Sequence, residues 1–191
     1  MAGIVTVSYF LISLLFNLVA MTLWFRVFLR FYRVSPLHPF AKMIYQLTNP
    51  LLKPFERFAY TDNRPPRFDW LCLIFLILLE IIKFIVLVWL FYNRMLPLYL
   101  LSLFVLGDLI IQPINLLFYA LLARIILSWM NPQWQQHPVK DILQLLTNPL
   151  IRLGHKIIPD ISGFDFAPFI MMVILKLITL FISASMPLSL L

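Results

Sequence analysis

Charge, glycine and cysteine are all scarce in this 191-residue chain. Charged residues make up 12% and hydrophobic ones 62%, whereas about a quarter of a soluble domain is charged. So little polar material cannot clothe a fold of this size in water, which excludes a soluble domain and a disordered chain alike. A single cysteine, Cys72, excludes an internal disulfide and so a disulfide scaffold. Four glycines exclude a collagen-like repeat. Phosphate-cradling Gly-rich loops, His-Glu-x-x-His, cysteine pairs and a nucleophile elbow are missing too. His38, His137 and His155 lack metal-ligand spacing. The expectation is a protein that is not an enzyme, with no catalytic residue, metal or cofactor.

What the chain does hold is 18 phenylalanines and 14 prolines set among long apolar runs. Four runs, 3–25, 69–91, 102–129 and 165–185, reach the roughly 20 residues needed to cross a bilayer core of about 30 Å. Each must be helical, because lipid offers no partner to open backbone groups. The third sits within a longer apolar stretch, 95–130, broken by Asp108, Gln112 and Pro113. It reads as one span kinked at Pro113, with a hairpin of two short helices as the alternative. The first run reads as a span rather than a signal peptide, with Arg26, Arg30 and Arg33 as its stop-transfer flank.

The formal net charge of +7 is chiefly an orientation signal, and no nucleic-acid partner is expected. Between 30 and 68 lie seven basic residues against Glu56 and Asp62. Between 131 and 164 lie Lys140, Arg152 and Lys156 against Asp141 and Asp160. The opposite side carries only Arg94. By the positive-inside rule both long loops are cytoplasmic and both termini lie outside.

An internal duplication organises the rest. His38-Pro39 aligns with His137-Pro138, and Leu47-Thr48-Asn49-Pro50-Leu51 with Leu146-Thr147-Asn148-Pro149-Leu150. Arg26 aligns with Arg124, and Asp69 with Asp165. The first repeat is therefore 1–91, with spans 3–25 and 69–91 around loop 26–68. The second is 92–191, with spans 102–129 and 165–185 around loop 130–164. Two spans per copy make the repeats parallel. In the loops, Phe40, Met43, Ile44 and Leu47, and Val139, Ile142, Leu143 and Leu146, recur at helical spacing. Each equivalent histidine is read as helping to start the amphipathic helix after it. Asn49-Pro50 and Asn148-Pro149 read as stop-and-restart signals, Asn capping and Pro opening a second short helix. Such basic helices seal the mouth of a bundle or lie on anionic lipid at the cytoplasmic face. The fold class is thus an all-α membrane protein: four transmembrane helices in two parallel repeats, with cytoplasmic amphipathic helices.

These residues resemble the YggT family, known in plastids under other names. The second copy carries the pattern best, through Arg124, Ser128-Trp129, Leu146-Thr147-Asn148-Pro149-Leu150, Ile158-Pro159 and Gly163-Phe164-Asp165-Phe166-Ala167-Pro168. The first keeps Arg26, Leu47 to Pro54 and Asp69, but has Arg67-Phe68-Asp69-Trp70-Leu71-Cys72 where the Gly-x-Asp-Phe-x-Pro portion would stand. The resemblance covers nearly the whole chain. It implies a multi-pass bacterial inner-membrane protein without an agreed activity. It also implies links to osmotic-stress tolerance, to membrane organisation and, in plastids, to haem attachment on a cytochrome. It supplies no functional residue to carry over.

Four ionisable residues fall inside the runs: Glu80, Lys83, Asp108 and Lys176. Each costs about 2.5–3.5 kcal/mol at a helix centre, so unpaired placement toward lipid is disfavoured. Pairs Glu80–Lys176 and Lys83–Asp108 are expected, with Glu80–Lys83 at i, i+3 as the local alternative. Arg26 and Arg124, near span ends, are expected to snorkel. Function then divides between a non-enzymatic scaffold or assembly factor and an oligomeric channel or transporter subunit for ions or small osmolytes. A haem-handling factor stands third. A homo-oligomer or a membrane-protein partner fits either of the first two.

Overall fold

The computed structural model describes residues 2–59, 68–92, 96–130, 138–157 and 165–186. Arg64, Arg67, Arg94, His137, Ile158-Pro159 and Gly163-Phe164 lie outside them. The described residues form six helices and no strand: α1 (Ala2–Phe31), α2 (Pro39–Ala59), α3 (Trp70–Tyr92), α4 (Leu98–Met130), α5 (Pro138–Ile157) and α6 (Ala167–Ala184). Four segments, Gly3–Phe31, Trp70–Phe91, Leu98–Trp129 and Ala167–Ala184, are long and apolar enough to span a membrane. Exposed hydroxyls within them bond back to their own helix, as lipid requires. Thr22 Oγ1 donates to Val19 O at 2.7 Å, and Ser102 Oγ to Tyr99 O at 2.8 Å.

Two sequence expectations are corrected. The first loop does not begin at 26: α1 runs on to Phe31 and takes Arg26 and Arg30 into the helix. Nor do the Asn-Pro pairs break the loops into two helices. Pro50 and Pro54 lie inside α2, and Pro149 inside α5. An interior proline removes one backbone bond and crowds the carbonyl four residues back, at about 3 kcal/mol. The stretch around Pro113 is one helix, α4, and not a hairpin.

The chain divides into two compact units: Met1–Leu37 with Ala41–Gln112, and His38–Phe40 with Pro113–Leu191. This division into compact units falls within α4, because the first half of α4 packs on α3. Phe104 stacks on Phe84 with ring centroids 5.6 Å apart. The first unit is centred on α1 against α3. Ala20, Leu23 and Val27 meet Leu71, Cys72 and Leu76 there, with Leu52 of α2 closing the cluster. The Cys72 thiol is buried in it and donates to Leu23 O at 3.5 Å. In the second unit Leu121 of α4 and Ile151 of α5 pack on Ala167, Met171 and Leu175 of α6. Gly154 makes the α5–α6 approach possible: a Cβ there would stand 2.9 Å from Ala167 Cβ and 3.0 Å from Ala167 O.

Candidate functional site

Each unit holds one arginine against its Thr-Asn pair. In the first, Arg26 Nη1 donates to Thr48 Oγ1 at 2.8 Å and to Asn49 Oδ1 at 3.0 Å. In the second, Arg124 Nη1 donates to Thr147 Oγ1 at 2.7 Å and to Asn148 Oδ1 at 2.8 Å. The threonine hydroxyl serves twice. It accepts from the guanidinium and donates to its own helix four residues back, Thr48 to Ile44 O at 2.8 Å and Thr147 to Leu143 O at 2.6 Å. Threonine can do both, since a hydroxyl is donor and acceptor at once, and the asparagine oxygen adds a second acceptor beside it. The repeated motif is therefore a tether from loop helix to span, where sequence reasoning saw a helix boundary.

The two tethers differ in charge. Arg26 also pairs with Glu56, and its Nε donates to Asp69 Oδ2 at 3.2 Å. Arg30 Nη1 stands 2.5 Å from the same Asp69 oxygen. Arg26 is only 2% exposed and Asp69 1%, so neither snorkels. The expectation of a snorkelling Arg26 fails because two carboxylates and two neutral acceptors within reach replace water. The other Asp69 oxygen accepts from Cys72 N at 3.2 Å, fixing the start of α3. In the second unit Asp165 instead faces His155 at 3.0 Å and accepts from Ala167 N at 2.9 Å. Glu56 and His155 stand eight residues beyond their respective threonines, and Arg30 and Ser128 four beyond their respective arginines, so two exchanges separate a buried ionic knot from an exposed pair. Tyr45 of α2 lies beside Arg26, its ring centroid 5.1 Å from the guanidinium carbon. Burial pushes its phenol above the ordinary value near 10, outweighing the opposing pull of Arg26 and Arg30.

A second polar cluster lies within the spans of the first unit. Lys83 pairs with Asp108, stands 2.6 Å from Glu80 Oε2 and donates to Asn17 Oδ1 at 3.3 Å. Gln112 Nε2 donates to Glu80 Oε1 at 2.5 Å. Glu80, Lys83 and Asp108 are all buried. An expected Glu80–Lys176 pair would join the two units, whereas the partners found for Glu80 lie within its own. Lys176 is exposed on α6, with its ammonium 5.9 Å from the Phe118 ring centroid. Sequence reasoning passed over Asn17 and gave Glu56, Arg30 and Gln112 no role in a site. The usable signal was a polar side chain at helical spacing from another, as in Asp108 and Gln112, or an acid on the same helix as its Thr-Asn pair. Among the described residues no three His, Cys, Asp or Glu side chains are gathered as a metal site requires.

Two copies of one Arg–Thr–Asn tether each join a loop helix to a span. A profile of the CCB3/YggT family matches residues 5–90 and 103–186. The chain belongs to the CCB3/YggT family. An uncharacterised protein from the proC 3′ region of Vibrio alginolyticus is 31% identical over 165 residues, 86% of each chain. Uncharacterised YggT of Escherichia coli K12 is 28% identical over 173 residues, covering 90% of this chain and 86% of its own. An uncharacterised Haemophilus influenzae protein is 28% identical over 165 residues, 86% of this chain and 84% of its own. No solved structure matches. The two profile segments of this YggT-type chain follow its two sequence repeats, and each contains one complete tether.

Proposed function

We propose that this YggT-type protein is a non-enzymatic scaffold or assembly factor of the bacterial inner membrane, serving osmotic adaptation or membrane organisation. The observation that carries the reading is the duplicated tether, which fixes α2 and α5 to their spans by the same Arg–Thr–Asn bonds. A helix held in that way presents a preset surface, which suits docking better than chemistry. α2 is the amphipathic helix of the first loop. Met43, Leu47, Leu51 and Phe55 are exposed along one side, while Lys42 and Lys53 stand on another. The basic loops favour a cytoplasmic position for α2 and α5 beside anionic lipid, with both termini outside.

The alternative is an oligomeric channel or transporter subunit. What favours it is the cluster of Glu80, Lys83 and Asp108 with Asn17 and Gln112, two carboxylates against one lysine inside the spans. Intramembrane charges of that kind often mark ion or proton routes. Proteoliposomes separate the two readings. The scaffold reading expects ion and osmolyte leakage equal to that of protein-free liposomes, and a stable complex by native mass spectrometry in nanodiscs. Flux that Lys83→Met abolishes would overturn it. A reporter at the C-terminus, active only outside, tests the orientation.

A further inference from the structure

The C-terminus of α1 and the polar face of α2 enclose a cleft of about 700 Å³. Its charged lining comprises Arg26, Arg30, Arg33, Lys42, Lys53 and one carboxylate, Glu56. The two deep arginines are neutralised: Arg26 and Arg30 are shared between Glu56 and Asp69. The outer three are not. Among the described residues no carboxylate pairs with Arg33, Lys42 or Lys53, so the mouth holds three positive charges beside a rigid, self-neutral floor.

Arg33 reaches that mouth from an unfavourable backbone. Its φ is 55°, the left-handed position that closes α1, with Val34 N donating to Leu29 O at 2.9 Å and Arg33 N to Arg30 O at 3.0 Å. Glycine is the residue such a helix end ordinarily takes. An arginine there places a cation at the cleft in spite of the backbone. The α2 face supplies the other two cations. At 100° per residue Lys42, Gln46, Asn49 and Lys53 fall on one side, and Ile44, Thr48 and Leu52 on the buried side. The remaining side carries exposed Met43, Leu47 and Leu51, and Leu37 just before α2 is 89% exposed.

We propose that this cleft binds the phosphodiester headgroup of one anionic phospholipid, with Arg33, Lys42 and Lys53 as its charged mouth. The apolar side chains flanking the mouth select lipid over free phosphate, since a soluble anion has no use for them. The cleft is built on the C-terminal end of α1, one of the four helices long and apolar enough to cross a membrane, and the end of a span is where headgroups lie. Arginine and lysine around a phosphate act together, Arg through its fork and Lys as a point charge. The proposal deepens the anionic-lipid contact suggested above, and its test does not depend on which membrane face is cytoplasmic.

The test is a native mass spectrometry titration of the full chain in a neutral detergent with dioctanoyl phosphatidylglycerol, dioctanoyl phosphatidylcholine or inorganic phosphate. One phosphatidylglycerol should bind, in preference to phosphatidylcholine. The Arg33→Gly, Lys42→Gln, Lys53→Gln triple variant should weaken it on the order of a hundredfold, about fivefold per charge. Lys140→Gln, Arg152→Gln, Lys156→Gln, an equal loss of charge in the second unit, should leave it within about threefold. Arg33→Gly alone should lose about fivefold with thermal stability unchanged or raised, which separates binding from folding. Equal loss in both triple variants, no preference over phosphatidylcholine, or phosphate competing as well as the lipid would each overturn the proposal. The proteoliposome flux and reporter assays fail or succeed independently of this result.

Discussion

Replacing Asp69 by asparagine and, separately, Asp165 by asparagine perturbs equivalent positions of the two repeats with losses expected to be unequal. Asparagine keeps an oxygen for the backbone bond each aspartate accepts, from Cys72 N and from Ala167 N. The change therefore removes charge and little else. Asp69 is buried, with Arg26 Nε at 3.2 Å and Arg30 Nη1 at 2.5 Å, so its loss leaves two guanidiniums against Glu56 alone. Removing one partner of a buried ion pair costs about 3–5 kcal/mol. Arg30 and Glu56 are 15% and 23% exposed and recover some solvation, which places the expectation near the lower figure, about 3 kcal/mol. That is more than a hundredfold in the folded-to-unfolded ratio, at about 1.4 kcal/mol per tenfold. The Asp165 and His155 side chains are 45% and 41% exposed, and an exposed pair is worth about 0–1 kcal/mol. Reversible unfolding in mixed micelles, followed by circular dichroism against the mole fraction of dodecyl sulfate, reads both variants. A double cycle with Arg26→Gln should return a coupling of at least about 1 kcal/mol. Equal losses at Asp69 and Asp165, or an Arg26–Asp69 coupling near zero, would refute the claim that the first tether is an ionic knot and the second is not.

Three further outcomes follow from the same geometry. Gly154→Ala should destabilise the second unit by about 1–3 kcal/mol, because the new Cβ meets Ala167 backbone as well as side chain; the same micelle titration checks it. Lys83→Met should cost about 3–5 kcal/mol by stranding Glu80 and Asp108 together, and the Glu80→Gln, Lys83→Met, Asp108→Asn triple variant should recover most of that loss. A triple variant as unstable as the single one would show that the cluster is not a self-contained pairing unit. The Tyr45 phenol, raised in the folded state, favours folding in its neutral form. That contribution is complete below pH 10 and is lost as pH rises through the higher folded value. Spectrophotometric titration should therefore show a tyrosine ionising above pH 10 in the parent protein and not in Tyr45→Phe, and alkaline unfolding should shift accordingly.

How much of this could be read in advance depended on the range of the interaction. The spans follow from hydropathy, because a lipid core admits only internally bonded apolar helices. The duplication and its arginine, Thr-Asn and aspartate positions are literal in the residues. The partial pairing around Lys83 was foreseeable from the insertion cost of charges in one span and the next. The Asn-Pro step was misread because turn chemistry is local, while the Thr-Asn side chains before Pro50 and Pro149 bond to Arg26 and Arg124, 22 and 23 residues from the threonines they reach. The ends of α1 moved for the same reason. Arg26 looks like a flank to a hydropathy window, and becomes interior only when Glu56 and Asp69 arrive from other helices.

Sequence by itself determined that this protein crosses a membrane, that it is built twice from one helical unit, and that its few charges had to find partners. Those are consequences of solvent and periodicity, and every residue carries them locally. Tertiary structure alone decided which partners: a buried ionic knot on Arg26, a tether on Arg124 with no contact ion pair among the described residues, and a basic cleft beside the first. Burial sets the strength of each charge, and burial depends on helices brought together from 43 residues apart, as Arg26 and Asp69 are.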